Sequence, residues 1–180
     1  MKMAEGEEKI LLEVITRSFE GTFNTGKKLG KLLKQGDVVA FFGELGAGKT
    51  VFAQGIARGL GIEEYVTSPT FTIINQYRGT LPLYHFDVYR LEDPREILEL
   101  GYEEYFYGEG ITVIEWAEKI KDYLPPDYMA VYIYKAHTDN DNYNEGNTPG
   151  PEKRCIIFQP RGKSYAEQVE ELKKYVGSGH

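Results

Sequence analysis

Apolar residues in this chain fall into short clusters separated by turn formers, and their spacing switches between two periods. LLEVITRSF (11–19) alternates and predicts a first strand. A helical period follows from Asn24, read as an N-cap, to Lys34, with Leu29, Leu32 and Leu33 facing inward. VVAFFG (38–43) is almost continuously apolar, as expected of a strand buried on both faces in a parallel sheet. A helix is predicted from Lys49 to Leu60. FTIINQY (71–77) and LPLYHFDVYR (81–90) read as two strands of a hairpin joined at Arg78-Gly79-Thr80.

Pro94 and Gly101 bracket PREILEL as a short helix. ITVIEW (111–116) is a further buried strand, followed by a polar turn or helix to Tyr123. After Pro125-Pro126 come the strands YMAVYIYK (128–135) and KRCIIFQ (153–159). The polar stretch between them, 138–152, predicts a long surface loop with little fixed structure. Ser164-x-x-Glu167 has the form of a capping box and opens a last helix, 164–176, with Val169, Leu172 and Val176 on one side. The expected architecture is one α/β domain over 1–180. Its sheet is mixed but mainly parallel, with two antiparallel pairs added to the core and helices on its flanks.

One segment adds chemistry to this outline. Gly43-x-x-x-x-Gly48-Lys49-Thr50 has the Walker A spacing, and it lies between a predicted strand and a predicted helix, as a P-loop NTPase-like fold requires. Gly43, Gly46 and Gly48 let the backbone curl so that its N–H groups face phosphate oxygens. Lys49 is expected on the β- and γ-phosphates, and the Thr50 hydroxyl on Mg2+. The nucleotide-binding set is taken as Gly43, Glu44, Leu45, Gly46, Ala47, Gly48, Lys49, Thr50 and Val51. Glu44 is odd beside phosphate and either points away or positions water.

A P-loop site also calls for an acid at the end of a neighbouring buried strand. Asp87 closes LPLYHF and Glu115 closes ITVI, and together they are the expected metal-associated pair. His85, two residues before Asp87, faces the same side of its strand and reads equally as a structural histidine. Trp116 follows Glu115, and spacing alone makes it core. TSPTF (67–71) places Ser68 and Thr70 either in a loop that senses the γ-phosphate or in a plain capped turn.

Charge and composition narrow the function classes. A net charge of −7 argues against a chain that grips nucleic acid by itself. Lys27, Lys28, Lys31 and Lys34 recur at helical spacing, as a solvated face or as a patch for RNA or an acidic partner. The single Cys155 permits no internal disulfide and reads as a buried strand thiol. With no apolar signal segment and no membrane-length apolar run, a cytoplasmic protein is expected. Arginines after the loop are scattered, without the lid cluster of a nucleotide kinase. A small ATPase acting on a partner is therefore preferred, and a P-loop small-molecule phosphotransferase is the alternative.

FFGELGAGKTVFAQGIARGLG, VTSPTFTIINQY, LYHFDVYRL and ITVIEWAEKI together resemble the bacterial TsaE family, also called YjeE. The likeness covers about residues 20–125, and the tail from Pro126 matches weakly. It implies a small ATPase, using ATP/ADP and Mg2+, required for threonylcarbamoyladenosine modification of tRNAs that read ANN codons. The implied partners are TsaD and TsaB, with tRNA engaged indirectly through their complex and no membrane involved. The resemblance maps the metal-associated acids onto Asp87 and Glu115 and a switch-like loop onto Thr70. It also moves Trp116 towards the nucleotide. The catalytic set so implied is Lys49, Thr70, Asp87 and Glu115, with Glu115 preferred as the acid that orients the attacking water. The 138–152 loop looks longer than the family needs.

Overall fold

A computed structural model describes residues 11–69, 71–136 and 153–176. Seven strands form one sheet in the order β1-β7-β6-β2-β5-β4-β3. They are β1 (Leu12–Thr16), β2 (Val38–Phe42), β3 (Ile74–Tyr77), β4 (Leu83–Asp87), β5 (Ile111–Glu115), β6 (Tyr128–Lys135) and β7 (Arg154–Arg161). The core β6-β2-β5-β4 is parallel. The expected antiparallel pairs, β3 with β4 and β6 with β7, are both present, and β1 adds a third by pairing with β7.

Every residue of β2 is buried because helices or turns cover both of its faces. Val39 and Phe41 pack with α1 (Phe19–Gly30), α2 (Lys49–Gly59) and α4 (Lys163–Val176). Val38, Ala40 and Phe42 pack on the other side with the 3-10 segments Pro94–Leu100 and Ala117–Tyr123 and the short helix α3 (Tyr102–Phe106). The period of two in β2 thus divides one apolar run between two cores. Among the described residues, no helix is long and apolar enough to cross a membrane.

Several boundaries differ from the sequence reading. The first strand stops at Thr16 because Ser18 caps α1, its side chain accepting from the Gly21 N–H at 3.0 Å. The helix therefore starts five residues before Asn24, and it ends at Gly30. Glycines at 21, 26 and 30 make this stretch a poor helix on propensity alone. Packing overrides that: a Cβ on Gly26 would lie 2.4 Å from the Phe52 carbonyl oxygen, and one on Gly55 would lie 2.1 Å from that of Phe23.

Strand β3 begins at Ile74 rather than residue 71, after Ile73 at a φ of 62°. The last helix starts at Lys163, so Ser164 lies inside its first turn instead of capping it. Asp93 and Glu96 form a capping box before Ile97, and Gly101 ends that segment in the left-handed region. Cys155 is half-buried rather than buried, and that burial raises its thiol pKa. Lys27 and Lys28 are half-buried, with the Lys28 ammonium on the Tyr175 carbonyl, while Lys31 and Lys34 are exposed. The 138–152 loop lies outside the described residues.

Candidate functional site

The loop Gly43–Thr50 leaves the C-terminal end of β2 and runs into α2. Gly43, Gly46 and Gly48 all adopt positive φ, at 143°, 74° and 104°. Gly43 is also sterically required, because a Cβ there would meet the Ile133 carbonyl oxygen at 2.2 Å. Helix α2 has no side-chain cap and no acid in its first turn, so its leading N–H groups remain available to an anion. Glu44, Leu45 and Gly46 are exposed, and Ala47 is buried.

Lys49 is 5% exposed, and its ammonium folds back on its own loop. It donates to the carbonyls of Gly43 at 2.6 Å and Glu44 at 2.8 Å, and lies 3.7 Å from the centre of the Trp116 ring. Burial lowers its pKa, against the opposing pull of Glu115, Glu118, Asp87 and Glu44. Trp116 is half-buried, holds a φ of 62°, and packs on Tyr89 with ring centres 4.8 Å apart. It is thus neither plain core nor remote from the loop.

Asp87 and Glu115 end adjacent parallel strands and are Cα partners in register. Glu115 is 2% exposed. The Thr50 hydroxyl donates to its two oxygens at 3.1 and 3.2 Å, and His85 Nε2 lies 2.8 Å from Oε1. Asp87 is more open. Its Oδ1 accepts from the Tyr89 N–H at 3.0 Å and its Oδ2 from the Ser68 hydroxyl. The TSPTF segment is tied back by Gln54, which donates to the Val66 carbonyl, and by Tyr77, which accepts from the Thr67 N–H. Thr70 itself lies outside the described residues.

This donor set suits Mg2+: one hydroxyl and two carboxylates, all oxygen. Among the described residues, no group of three or more His, Cys, Asp or Glu is arranged to hold a metal alone.

Two residues carry more than the sequence suggested. The Arg154 guanidinium, from β7, donates to the Ala47 carbonyl at 2.8 Å and the Gly46 carbonyl at 3.4 Å, bracing the loop from outside. With Ser18, Phe19, Thr22, Gly48 and Val51 it lines a shallow pocket beside the start of α2. In sequence its only signal is a charge at the head of an apolar strand. The sequence reads His85 equally as structural or functional, and nothing local in it names Glu115 as its partner.

A sequence model of the family described as "Threonylcarbamoyl adenosine biosynthesis protein TsaE" matches residues 16–143. The chain belongs to the TsaE family. It is 43% identical over 157 residues to the TsaE protein of Bacillus subtilis (strain 168), covering 87% of this chain and 90% of that one. The Treponema pallidum (strain Nichols) TsaE protein is 46% identical over 114 residues, covering 63% of this chain and 84% of the relative. Among solved structures, the crystal structure of Bacillus subtilis YdiB superposes with a TM-score of 0.77 at 37% identity, covering 94% of this chain and 99% of that one. The TsaE match extends well past Pro126, further than the residue blocks alone reach. A place in tRNA threonylcarbamoyladenosine biosynthesis follows from the family.

Proposed function

We propose that this chain is a small Mg2+-dependent ATPase that serves threonylcarbamoyladenosine modification of tRNAs reading ANN codons by acting on a TsaB–TsaD complex. The observation that carries the reading is the contact between Thr50, at the start of α2, and Glu115, at the end of β5, directly behind the Gly43–Thr50 loop. Asp87 lies beside it in register.

In this reading the loop N–H groups and the α2 terminus bind the phosphates, and the pocket beside Gly48 takes the nucleoside end. Lys49 exchanges two neutral carbonyls for charged phosphate oxygens, a stronger class of hydrogen bond. Thr50, Glu115 and Asp87 hold the Mg2+, which when bound neutralises charge on the β- and γ-oxygens. Trp116 and Tyr89 wall the site beside Lys49. The negative net charge suits a chain that docks on proteins and meets tRNA through them.

The test is ATP hydrolysis by the purified chain, alone and with TsaB and TsaD from the same organism. Stimulation of at least about tenfold, a lowering of the barrier by about 1.4 kcal/mol, is expected. A complex that forms without stimulation overturns the proposal, and phosphate transfer from ATP to a small hydroxyl acceptor without partners would replace it with a kinase.

A further inference from the structure

We propose that His85 is a positioning residue whose ring holds Oε1 of Glu115, fixing that carboxylate between β4 and α2 so that its other oxygen is directed at the metal. The inference rests on the reading of Glu115 as a metal-associated acid.

His85 is fully buried on β4, facing the same side as Asp87. Its Cα is in register with Val113, two residues before Glu115 on β5, so the ring reaches along the sheet to the strand end. Nε2 makes the 2.8 Å contact with Oε1, whereas Nδ1 is buried without a hydrogen-bond partner among the described residues. A hydrogen on Nδ1 would be sealed away with no acceptor. The proton therefore belongs on Nε2, and the ring donates to the carboxylate.

Burying Nδ1 unpaired costs free energy that an apolar ring of similar size would avoid. A position that served packing alone has no need of an imidazole. What histidine adds here is one directed N–H on Oε1. Thr50 cannot supply the same constraint, since its single hydroxyl hydrogen is shared between both oxygens at nearly equal distances. With His85 the carboxylate has Oε1 held by the ring and an Oε2 held only by its share of the Thr50 hydroxyl.

The experiment measures ADP binding to the full chain by calorimetry, in excess EDTA and across graded Mg2+, for wild type, His85→Phe, His85→Gln and Glu115→Ala. Loss of an outer partner of a metal ligand typically weakens metal affinity about 10–100-fold. His85→Phe is expected to raise the Mg2+ concentration for half-maximal effect by that factor, with binding in EDTA unchanged. His85→Gln, which restores an N–H at the reach of Nε2, should return it to within about threefold of wild type on the same scale. Should His85→Phe not fold, His85→Asn, whose amide stops short of Glu115, carries the same expectation.

If Glu115→Ala shifts the Mg2+ dependence and His85→Phe does not, the positioning role is wrong and the metal site stands. If His85→Phe weakens ADP binding equally with and without Mg2+, the histidine is structural and the proposal fails. If Glu115→Ala leaves the Mg2+ dependence unchanged, the reading of Glu115 itself falls.

Discussion

In the α1–α2 contact the closest approaches are between backbones. Gly26 and Gly30 of one helix face Phe52 and Ile56, and Gly55 and Gly59 of the other face Phe23 and Lys27. These approaches are backbone to backbone, so fit governs their energy. At the ends of β4 and β5 the terms reverse. Glu115 is buried with hydroxyl and imidazole partners, Trp116 holds a left-handed backbone, and Lys49 is packed against neutral carbonyls and a ring. Each of these costs free energy locally, and the packed helix pair behind α2 offsets it. Chemistry thus sits at the first residues of α2, and packing runs along the rest of the same helix.

The largest expected effect separates them directly. Glu115→Gln keeps the size of the side chain and removes its charge. Turnover should fall about 10³-fold, or about 4 kcal/mol, the upper range for losing one electrostatic group in a site. The melting temperature should hold or rise, because a buried carboxylate has been neutralised. Parallel turnover and thermal-melt measurements decide it, and a large loss of stability would put Glu115 with the structural residues.

Gly55→Ala probes the packed face in the middle of α2. Its new methyl would lie 2.1 Å from the Phe23 carbonyl oxygen, which forces the helices apart. Overpacking of this kind costs about 3 kcal/mol. For a chain of this size that lowers the melting temperature by about 6–12 °C. Turnover by the folded fraction at low temperature should stay near wild type. A stable variant with damaged turnover would show that the helix contact tunes the site instead of supporting it.

These two regions were unequally legible in the sequence. The Walker A spacing and the strand-end acids could be read because each is a local pattern, a fixed interval or a carboxylate ending an apolar run. The boundaries of β4 and β5 put Asp87 and Glu115 at their last residues, where that pattern placed them. The helix pair was hidden for the converse reason. Glycine at 26, 30, 55 and 59 lowers helix propensity in isolation, and its value appears only when two such rows meet. The start of α1 differs for another reason, because Ser18 and not Asn24 is its cap. Partners distant in sequence were equally silent: Arg154 lies 108 positions from Gly46 and His85 lies 30 from Glu115.

Arg154 extends the comparison to the loop itself, since it is a buried charge that serves shape. Arg154→Met keeps most of the stem and removes the donors to the Gly46 and Ala47 carbonyls. Losing charge-assisted bonds to a loop that must present its N–H groups should raise the KM for ATP about tenfold, with kcat within about twofold. Steady-state kinetics over a range of ATP concentrations read both. A fall in kcat alone would place Arg154 in the chemistry.

Asp37 provides the finest contrast, because it is a second buried carboxylate at the opposite end of β2 from the phosphate loop. It accepts from the Lys34 N–H at 2.7 Å and from Gln168 Nε2 at 2.6 Å. Burial raises its pKa above the ordinary 3.8 despite those bonds. A carboxylate with a raised folded pKa adds stability below its unfolded value and loses it as pH climbs through the folded one. The wild type should therefore lose stability relative to Asp37→Asn across the interval just above pH 3.8. Asparagine can be accommodated with its amide oxygen in the place of Oδ2, where it still accepts from the Lys34 N–H and from Gln168 Nε2. Stability at neutral pH should then hold or rise and turnover should not change. Denaturant titrations of both proteins at several pH values measure the difference, and if it does not vary with pH, Asp37 is not titrating in that interval. Glu115→Gln and Asp37→Asn would then share a neutral effect on folding, with only the first costing turnover. That is the outcome required if one buried carboxylate is kept for an ion and the other for a helix.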